Sequence, residues 1–91
     1  MEKYRLKSSK DRSVDELFGQ VLQQFRKEKG LSQEELSFES GYHRTYISLL
    51  ERGKKSPSLN TLFQLAKALN VEPSEIMVRI QKMGVNDSLK Q

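Results

Sequence analysis

The segment SQEELSFESGYHRTYISLLERG, residues 32–53, is the part of the sequence that decides the fold. Ser32 and Glu35 have the spacing of a capping box, in which each side chain accepts a hydrogen bond from the other residue's backbone N–H. A helix that begins there ends just before Gly41, because glycine readily adopts the left-handed conformation that closes a helix. A second helix then begins near His43. The segment therefore predicts two short helices joined by a tight turn.

The second of these helices has an apolar inner face and a polar outer face. Ile47 and Leu50 are three residues apart and face the interior. Arginine can bind guanine through two hydrogen bonds, and threonine and serine can bind base edges or contact a thymine methyl group. The candidate base-reading residues on the outer face are Arg44, Thr45, Ser48 and His43. This layout is typical of proteins that read the major groove of DNA.

Two of these candidates have equally simple alternatives. Arg44 is the best candidate for a guanine contact, with a phosphate contact as the alternative. His43 fits a solvated residue at the start of the helix. Tyr46 lies on the flank of the outer face, where it fits either a phosphate contact or core packing.

Composition excludes several classes of function. The 91 residues make one small domain, and the absence of cysteine excludes disulfides, zinc fingers and thiol chemistry. With a single histidine and no cysteine, no catalytic residue, metal site or cofactor is predicted, so the protein is not expected to be an enzyme. No apolar run approaches the ~18 residues that a membrane-spanning helix needs. We therefore expect a cytoplasmic protein.

The distribution of charge says more than the net charge of +4. From Ser40 to Val71 the only acidic residue is Glu51, and acidic residues collect instead in 11–39 and 72–87. The basic residues of the same segment are Arg44, Arg52, Lys54, Lys55 and Lys67. A one-sided basic surface of this kind fits DNA phosphates.

The whole chain predicts an all-α fold of five helices in one domain over residues 13–83. Residues 1–12 read as a flexible basic arm, and residues 84–91 as a frayed tail. Ser13 and Glu16 form a second capping box at the start of the first helix, which should end at Lys29. The fourth helix is predicted to have an apolar face made of Leu59, Leu62, Phe63, Ala66 and Leu69.

The fifth helix carries an apolar stripe of Ile76, Met77, Ile80 and Met83. This stripe is either the last layer of the core or a dimer interface. We favour the interface, because reading two half-sites one helical turn apart needs a symmetric dimer. Phe38, on the outer side of the second helix, fits either rim packing or contact with a partner.

The segment from Phe25 to Ile76 resembles the phage repressor and Cro-type helix-turn-helix family. The resemblance is carried by KGLSQEELS (29–37), Gly41 and ISLLERGKKSPSLNTLFQLAKALNVEPSEI (47–76). The run HRTYISLLERG (43–53) resembles in particular the controller proteins of restriction–modification systems. The resemblance implies a compact five-helix, lambda-repressor-like domain that binds operator DNA as a dimer.

The resemblance also implies roles for individual residues. Gln33 corresponds to the family glutamine that binds a phosphate and supports the reading helix. Arg26 and Glu51 correspond to an ion pair that orients Arg26 toward the DNA backbone. Further phosphate contacts are implied for Arg52, Lys54 and Lys55.

The sequence departs from the family pattern at a few positions. Ser37 and Ser40 replace an alanine and an aliphatic residue, which predicts a looser contact between the second and third helices. Asn70 replaces a glycine, and Glu72 is a poor helix cap before Pro73.

These observations predict a sequence-specific transcriptional regulator that binds double-stranded DNA as a homodimer, with no small-molecule effector. The alternative is an antitoxin-like protein whose main task is to bind another protein. That role usually needs an added segment that wraps its target, and this chain leaves little room for one.

Overall fold

A computed structural model describes residues 13–85, which form five α-helices and contain no strand. The helices are α1 (Val14–Glu28), α2 (Gln33–Ser40), α3 (Arg44–Glu51), α4 (Leu59–Leu69) and α5 (Pro73–Ile80), followed by a π-helical turn, Gln81–Val85. The predicted all-α fold is confirmed. The predictions for the arm of residues 1–12 and for the tail beyond Val85 lie outside the described residues. No helix in the described range is long and apolar enough to cross a membrane.

The predicted capping boxes begin the first two helices. The Ser13 hydroxyl accepts from the Glu16 N–H at 3.1 Å, and the Glu16 carboxylate accepts from the Ser13 N–H at 3.0 Å. Ser32 and Glu35 make the same pair of bonds at 3.0 and 2.8 Å. Each pair satisfies N–H groups that have no partner inside the helix.

Left-handed residues close two of the helices as predicted. Gly41 ends α2 with φ = 82°, and Asn70 ends α4 with φ = 59°. Asparagine tolerates this conformation better than other residues with a Cβ atom. These two stops set the directions in which α3 and α5 leave.

The core is a single cluster to which every helix contributes, with α1 packed against both α3 and α5. Its fully buried large side chains are Leu17, Val21, Leu22, Leu36, Ile47, Leu50, Leu65, Leu69 and Ile76. Both α2 and α3 therefore pack against the centre of the domain.

The predicted inner face of α4 is wrong at two positions. Leu59 and Phe63 are 74% and 57% exposed, whereas Leu65 is fully buried. The buried stripe runs through Leu62, Leu65, Ala66 and Leu69, which follow the i, i+3, i+4, i+7 spacing of one face. Leu59 lies at the first position of the helix, beyond the core, and Phe63 lies at the edge of this stripe.

The predicted dimer interface on the fifth helix also needs correction. Ile76 is fully buried and Ile80 is 6% exposed within one copy of the chain, so neither side chain is available to a partner. Both pack into the core because α5 covers α1 and α4. Met83 also packs, partly buried, against that core. Only Met77, 54% exposed, remains on the surface among the four predicted residues.

A glycine inside α1 allows α3 to approach closely. A Cβ atom on Gly19 would lie 2.3 Å from the carbonyl oxygen of Leu50 and 2.5 Å from that of Glu51. Both oxygens belong to the backbone and cannot move aside without moving α3. The absence of a side chain at Gly19 therefore sets the distance between α1 and the end of α3.

Candidate nucleic-acid interface

The start of α3 is fixed by its own cap residue. His43 lies at the N-cap, where its Nδ1 accepts a hydrogen bond from the Thr45 N–H at 3.1 Å. The imidazole is exposed, and its Nε2–H is the donor left for an outside ligand. His43 thus combines the cap role with a remaining capacity to contact DNA.

The outer face of α3 presents the other predicted base readers. Arg44 and Thr45 are exposed, and Ser48 is partly exposed. Arg52, at the C-terminal end of the same face, donates from Nε to the Ser48 hydroxyl at 3.4 Å. On the opposite side Ile47 is fully buried, so the burial pattern fixes which face of α3 looks outward.

A buried ion pair holds the other end of α3. The Nε and Nη2 atoms of Arg26 donate to the two carboxylate oxygens of Glu51 at 2.6 and 3.0 Å. Its Nη1 donates to the Leu31 carbonyl oxygen at 2.8 Å. The two side chains of the pair are only 8% and 2% exposed. This joins α1, α3 and the start of α2 in one cluster.

The burial of Arg26 contradicts its predicted role as a phosphate contact. All three of its nitrogen atoms already donate inside the protein, and almost none of its side chain reaches the surface. The predicted ion pair with Glu51 is present, but it orients Arg26 toward the core. It also neutralises the one acidic residue of α3, which leaves the outer face positively charged.

Gln33 supports α3 through Glu51. Its Nε2 donates to Oε1 of Glu51 at 3.0 Å, and its side chain is partly exposed. An amide nitrogen carries two hydrogen atoms, so the second one remains for a phosphate oxygen. Gln33 can therefore hold α3 and contact the DNA backbone at the same time.

The basic turn after α3 is anchored to the start of α1. The Ser56 hydroxyl donates to the Asp15 carboxylate at 2.6 Å, and Gly53, with φ = 72°, packs against Glu16. A Cβ atom on Gly53 would lie 2.7 Å from the Glu16 Cγ atom. The exposed Lys54 and Lys55 project from this turn.

Side-chain hydroxyls hold the turn between α2 and α3. Ser37 donates to the Tyr42 carbonyl oxygen at 2.5 Å, and the Tyr42 N–H donates to the Ser40 hydroxyl at 3.2 Å. The Gln64 amide of α4 donates to the Ser40 carbonyl oxygen at 2.8 Å. The hydroxyls of Ser37 and Ser40 thus form hydrogen bonds within the turn, and the looser contact between α2 and α3 stays a prediction.

Two tyrosines connect this turn and α3 to the start of α4. Their rings lie 5.3 Å apart, and the hydroxyls of Tyr42 and Tyr46 lie 3.2 and 3.4 Å from the hydroxyl oxygen of Thr61. Both tyrosines are partly buried against the core. Tyr46 thus packs on the core and also brings its phenol to the flank of the outer face.

The sequence analysis did not identify two residues of this site, Gly19 and Thr61. Gly19 could have been noticed as a glycine inside a strong helical pattern, which often marks a close backbone approach. Thr61 is 5% exposed, and nothing in its local sequence shows that two tyrosine hydroxyls reach it. No group of three or more His, Cys, Asp or Glu side chains within residues 13–85 is placed to hold a metal ion.

Comparison with known proteins identifies the family. Residues 22–76 match the helix-turn-helix family model. The control protein C.BamHI of Bacillus amyloliquefaciens is 47% identical over 62 residues, which cover 67% of this chain and 76% of that protein.

Solved structures give the same picture. The restriction–modification controller protein C.AhdI from Aeromonas hydrophila is 48% identical with a TM-score of 0.65, over 67% of this chain and 92% of that one. The clp gene regulator ClgR from C. glutamicum is 29% identical with a TM-score of 0.77, over 84% of this chain and 96% of that one. The segment matched by the family model contains α2, α3 and α4 in full. The chain therefore belongs to the helix-turn-helix family of DNA-binding transcriptional regulators.

Proposed function

We propose that the protein binds a palindromic operator as a symmetric dimer, with α3 of each subunit in the major groove. The observation that carries this proposal is the outer face of α3, whose polar side chains are exposed while its inner face is fully buried. Arg44, Thr45, Ser48 and His43 read the bases in this arrangement. Gln33, Tyr46, Arg52, Lys54 and Lys55 contact phosphates.

The dimer interface must lie on a surface other than the buried residues of α5. Phe63, Val71 and Pro73 line a groove of about 900 Å³ that runs along α4, between the end of α2 and the start of α5. Met77 lies one turn beyond Pro73 and is exposed. Two half-sites need two subunits related by a two-fold axis. These apolar side chains are the strongest candidates for the contact between the subunits, because the interior of one copy leaves them exposed or lining a groove.

The names of the relatives suggest the biological setting. Since C.BamHI is a control protein and C.AhdI a restriction–modification controller protein, we place this chain in the same regulatory role. It would act in the cytoplasm by equilibrium binding to DNA, without a cofactor, an effector or enzymatic chemistry.

Selection from random duplex DNA tests the proposal. Wild-type protein should enrich a palindromic sequence whose half-sites are about one helical turn apart. The Arg44→Ala variant should lose discrimination at one base pair in each half-site, at a cost of about 1–3 kcal/mol for each bidentate pair of hydrogen bonds removed.

The matched control is Arg44→Lys, which keeps the charge but cannot make the planar two-bond contact with guanine. It should retain affinity for random DNA and lose selectivity. If Arg44→Ala kept full selectivity and only bound all sequences more weakly, Arg44 would be a phosphate contact and its assignment as a base reader would be wrong. A wild-type protein that enriched no sequence would refute the function itself.

One observation supports the antitoxin-like alternative. Phe38 is 86% exposed, the highest exposure among the large apolar residues of the described chain, and Glu34 and Glu39 line the same surface. This face of α2 suits a protein partner better than DNA. Loss of operator binding in Phe38→Ser would place the residue in DNA recognition instead.

A further inference from the structure

Four hydroxyl groups meet where the recognition helix approaches the start of α4. The hydroxyl oxygen of Thr61 lies 3.1 Å from that of Ser58, 3.2 Å from that of Tyr42 and 3.4 Å from that of Tyr46. Thr61 is 5% exposed, and the tyrosines come from the turn before α3 and from α3 itself. The cluster is therefore a hydrogen-bonded link between α3 and α4, in addition to their contacts in the apolar core.

The three neighbouring hydroxyls cannot all donate a hydrogen bond to the Thr61 oxygen. A hydroxyl oxygen has two lone pairs and one hydrogen, so Thr61 can accept from two of its three neighbours and must donate to the third. Ser58 already accepts from the Thr61 N–H at 3.0 Å, which uses one of its lone pairs. Tyr46 has the longest contact, so its hydrogen is the one most easily redirected.

A DNA phosphate near Tyr46 would decide which hydroxyl, that of Tyr46 or that of Thr61, donates the hydrogen bond between the two residues. A charged acceptor forms shorter and stronger hydrogen bonds than a neutral hydroxyl does. If the Tyr46 hydroxyl donates to a phosphate, it no longer donates to Thr61, and its oxygen becomes free to accept the Thr61 hydrogen. Tyr42 and Ser58 then donate to Thr61, and every hydroxyl of the cluster is satisfied. Chains of hydrogen bonds arranged in this way strengthen one another.

We propose that Thr61 is a positioning residue for DNA binding, whose hydroxyl donates to the phenolic oxygen of Tyr46 and so directs the Tyr46 hydroxyl hydrogen to a DNA phosphate. The proposal rests on the proposed operator-binding function. It extends that function to a buried residue of α4 that itself never touches DNA.

A double-mutant cycle tests this role, with operator affinity and thermal unfolding measured for each variant. Tyr46→Phe should weaken operator binding about tenfold, because it removes a hydrogen bond to a charged group. Thr61→Val keeps the size and branching of the side chain and should weaken binding about fivefold. The double variant should bind like Tyr46→Phe alone, since Thr61 acts through Tyr46.

Two further variants separate positioning from stability. Thr61→Ser retains the hydroxyl and should restore wild-type affinity. Ala66→Gly weakens the same helix without changing any hydroxyl of the cluster, so it should lower the melting temperature but leave operator affinity unchanged. Thr61→Ala takes the place of Thr61→Val in the cycle if the valine variant loses its helical circular dichroism.

The outcomes that overturn the proposal are distinct from failure of the function. If Thr61→Val weakened binding by the same factor in the wild-type and Tyr46→Phe backgrounds, Thr61 would have only a structural role. Wild-type affinity in Tyr46→Phe would show that this phenol holds no phosphate and would also overturn the proposal. In both cases operator binding by the wild-type protein would stand. A wild-type protein without operator binding would refute both proposals.

Discussion

The helices α3 and α5 are both eight residues long, but their exposed faces differ in chemical character. Each buries two large apolar residues, Ile47 and Leu50 in α3 and Ile76 and Ile80 in α5. Outside, α3 carries polar and basic side chains, whereas α5 exposes Met77 and Val78. One surface suits phosphates and base edges, and the other suits an apolar protein surface. The same inner packing thus supports two different kinds of outer contact.

The largest effect is expected from two neighbouring residues of α5. Ile76→Glu would place an unpaired charge at a fully buried position, and we expect a loss of more than about 4 kcal/mol, enough to unfold a small domain. Met77→Glu changes the adjacent but exposed residue and should leave the domain folded. Circular dichroism during urea denaturation measures both effects.

The same pair also tests the assignment of the dimer surface. Met77→Glu should sediment as a monomer and bind the operator far more weakly, because two negative charges would face each other across the two-fold axis. A folded, dimeric Met77→Glu would move the interface away from this part of α5. A folded Ile76→Glu would contradict the core that we describe.

These two helices also show which features the sequence can predict. The inner face of α3 followed from the spacing of Ile47 and Leu50, and the ends of α2 and α4 followed from Gly41 and Asn70. Helix caps are decided within a few residues, so the local sequence contains the necessary information. The spacing of the apolar residues in α5 likewise predicted an apolar face.

Features that depend on the neighbour across a helix could not be predicted. The sequence alone cannot show whether Ile76 is covered by α1 of the same chain or by a second copy of the protein. Arg26 was expected at the DNA backbone, but its burial depends on the position of Leu31 and Glu51, five and 25 residues away. Phe63 matched a helical stripe and yet is exposed, because no element within residues 13–85 covers that edge of α4.

The second largest effect is expected where α3 is joined to α1. Arg26→Met removes one partner of a buried ion pair and leaves the Glu51 carboxylate with the Gln33 amide alone. Breaking such a pair from one side costs about 3–5 kcal/mol, because an uncompensated charge stays buried. The free energy of unfolding from urea titration measures this loss.

A more exposed ion pair between α1 and α5 supplies the control. Arg79 lies 2.6 Å from Glu28, with side-chain exposures of 32% and 54%, and 3.8 Å above the Phe25 ring. Exposed ion pairs contribute little, so Arg79→Met should cost about 1 kcal/mol or less. Equal losses in the two variants would show that burial of the Arg26 pair does not matter to α3.

The smallest effect concerns the basic turn that follows α3, and it appears in salt dependence rather than in stability. Lys54→Ala combined with Lys55→Ala should weaken binding to all DNA sequences alike, because phosphate contacts carry no base information. A plot of log affinity against log salt concentration should become less steep by about 0.9 for each phosphate that the variant no longer neutralises. Lys82→Ala removes an exposed charge near Phe25 and Arg79, on the α1–α5 side, and should keep the wild-type slope.

An unchanged slope in the Lys54 and Lys55 variant would show that this turn does not touch the DNA backbone, despite its anchoring through Ser56 and Gly53. A reduced slope in Lys82→Ala would instead mean that the α5 side also faces DNA, and the contrast between the two helix surfaces would no longer hold.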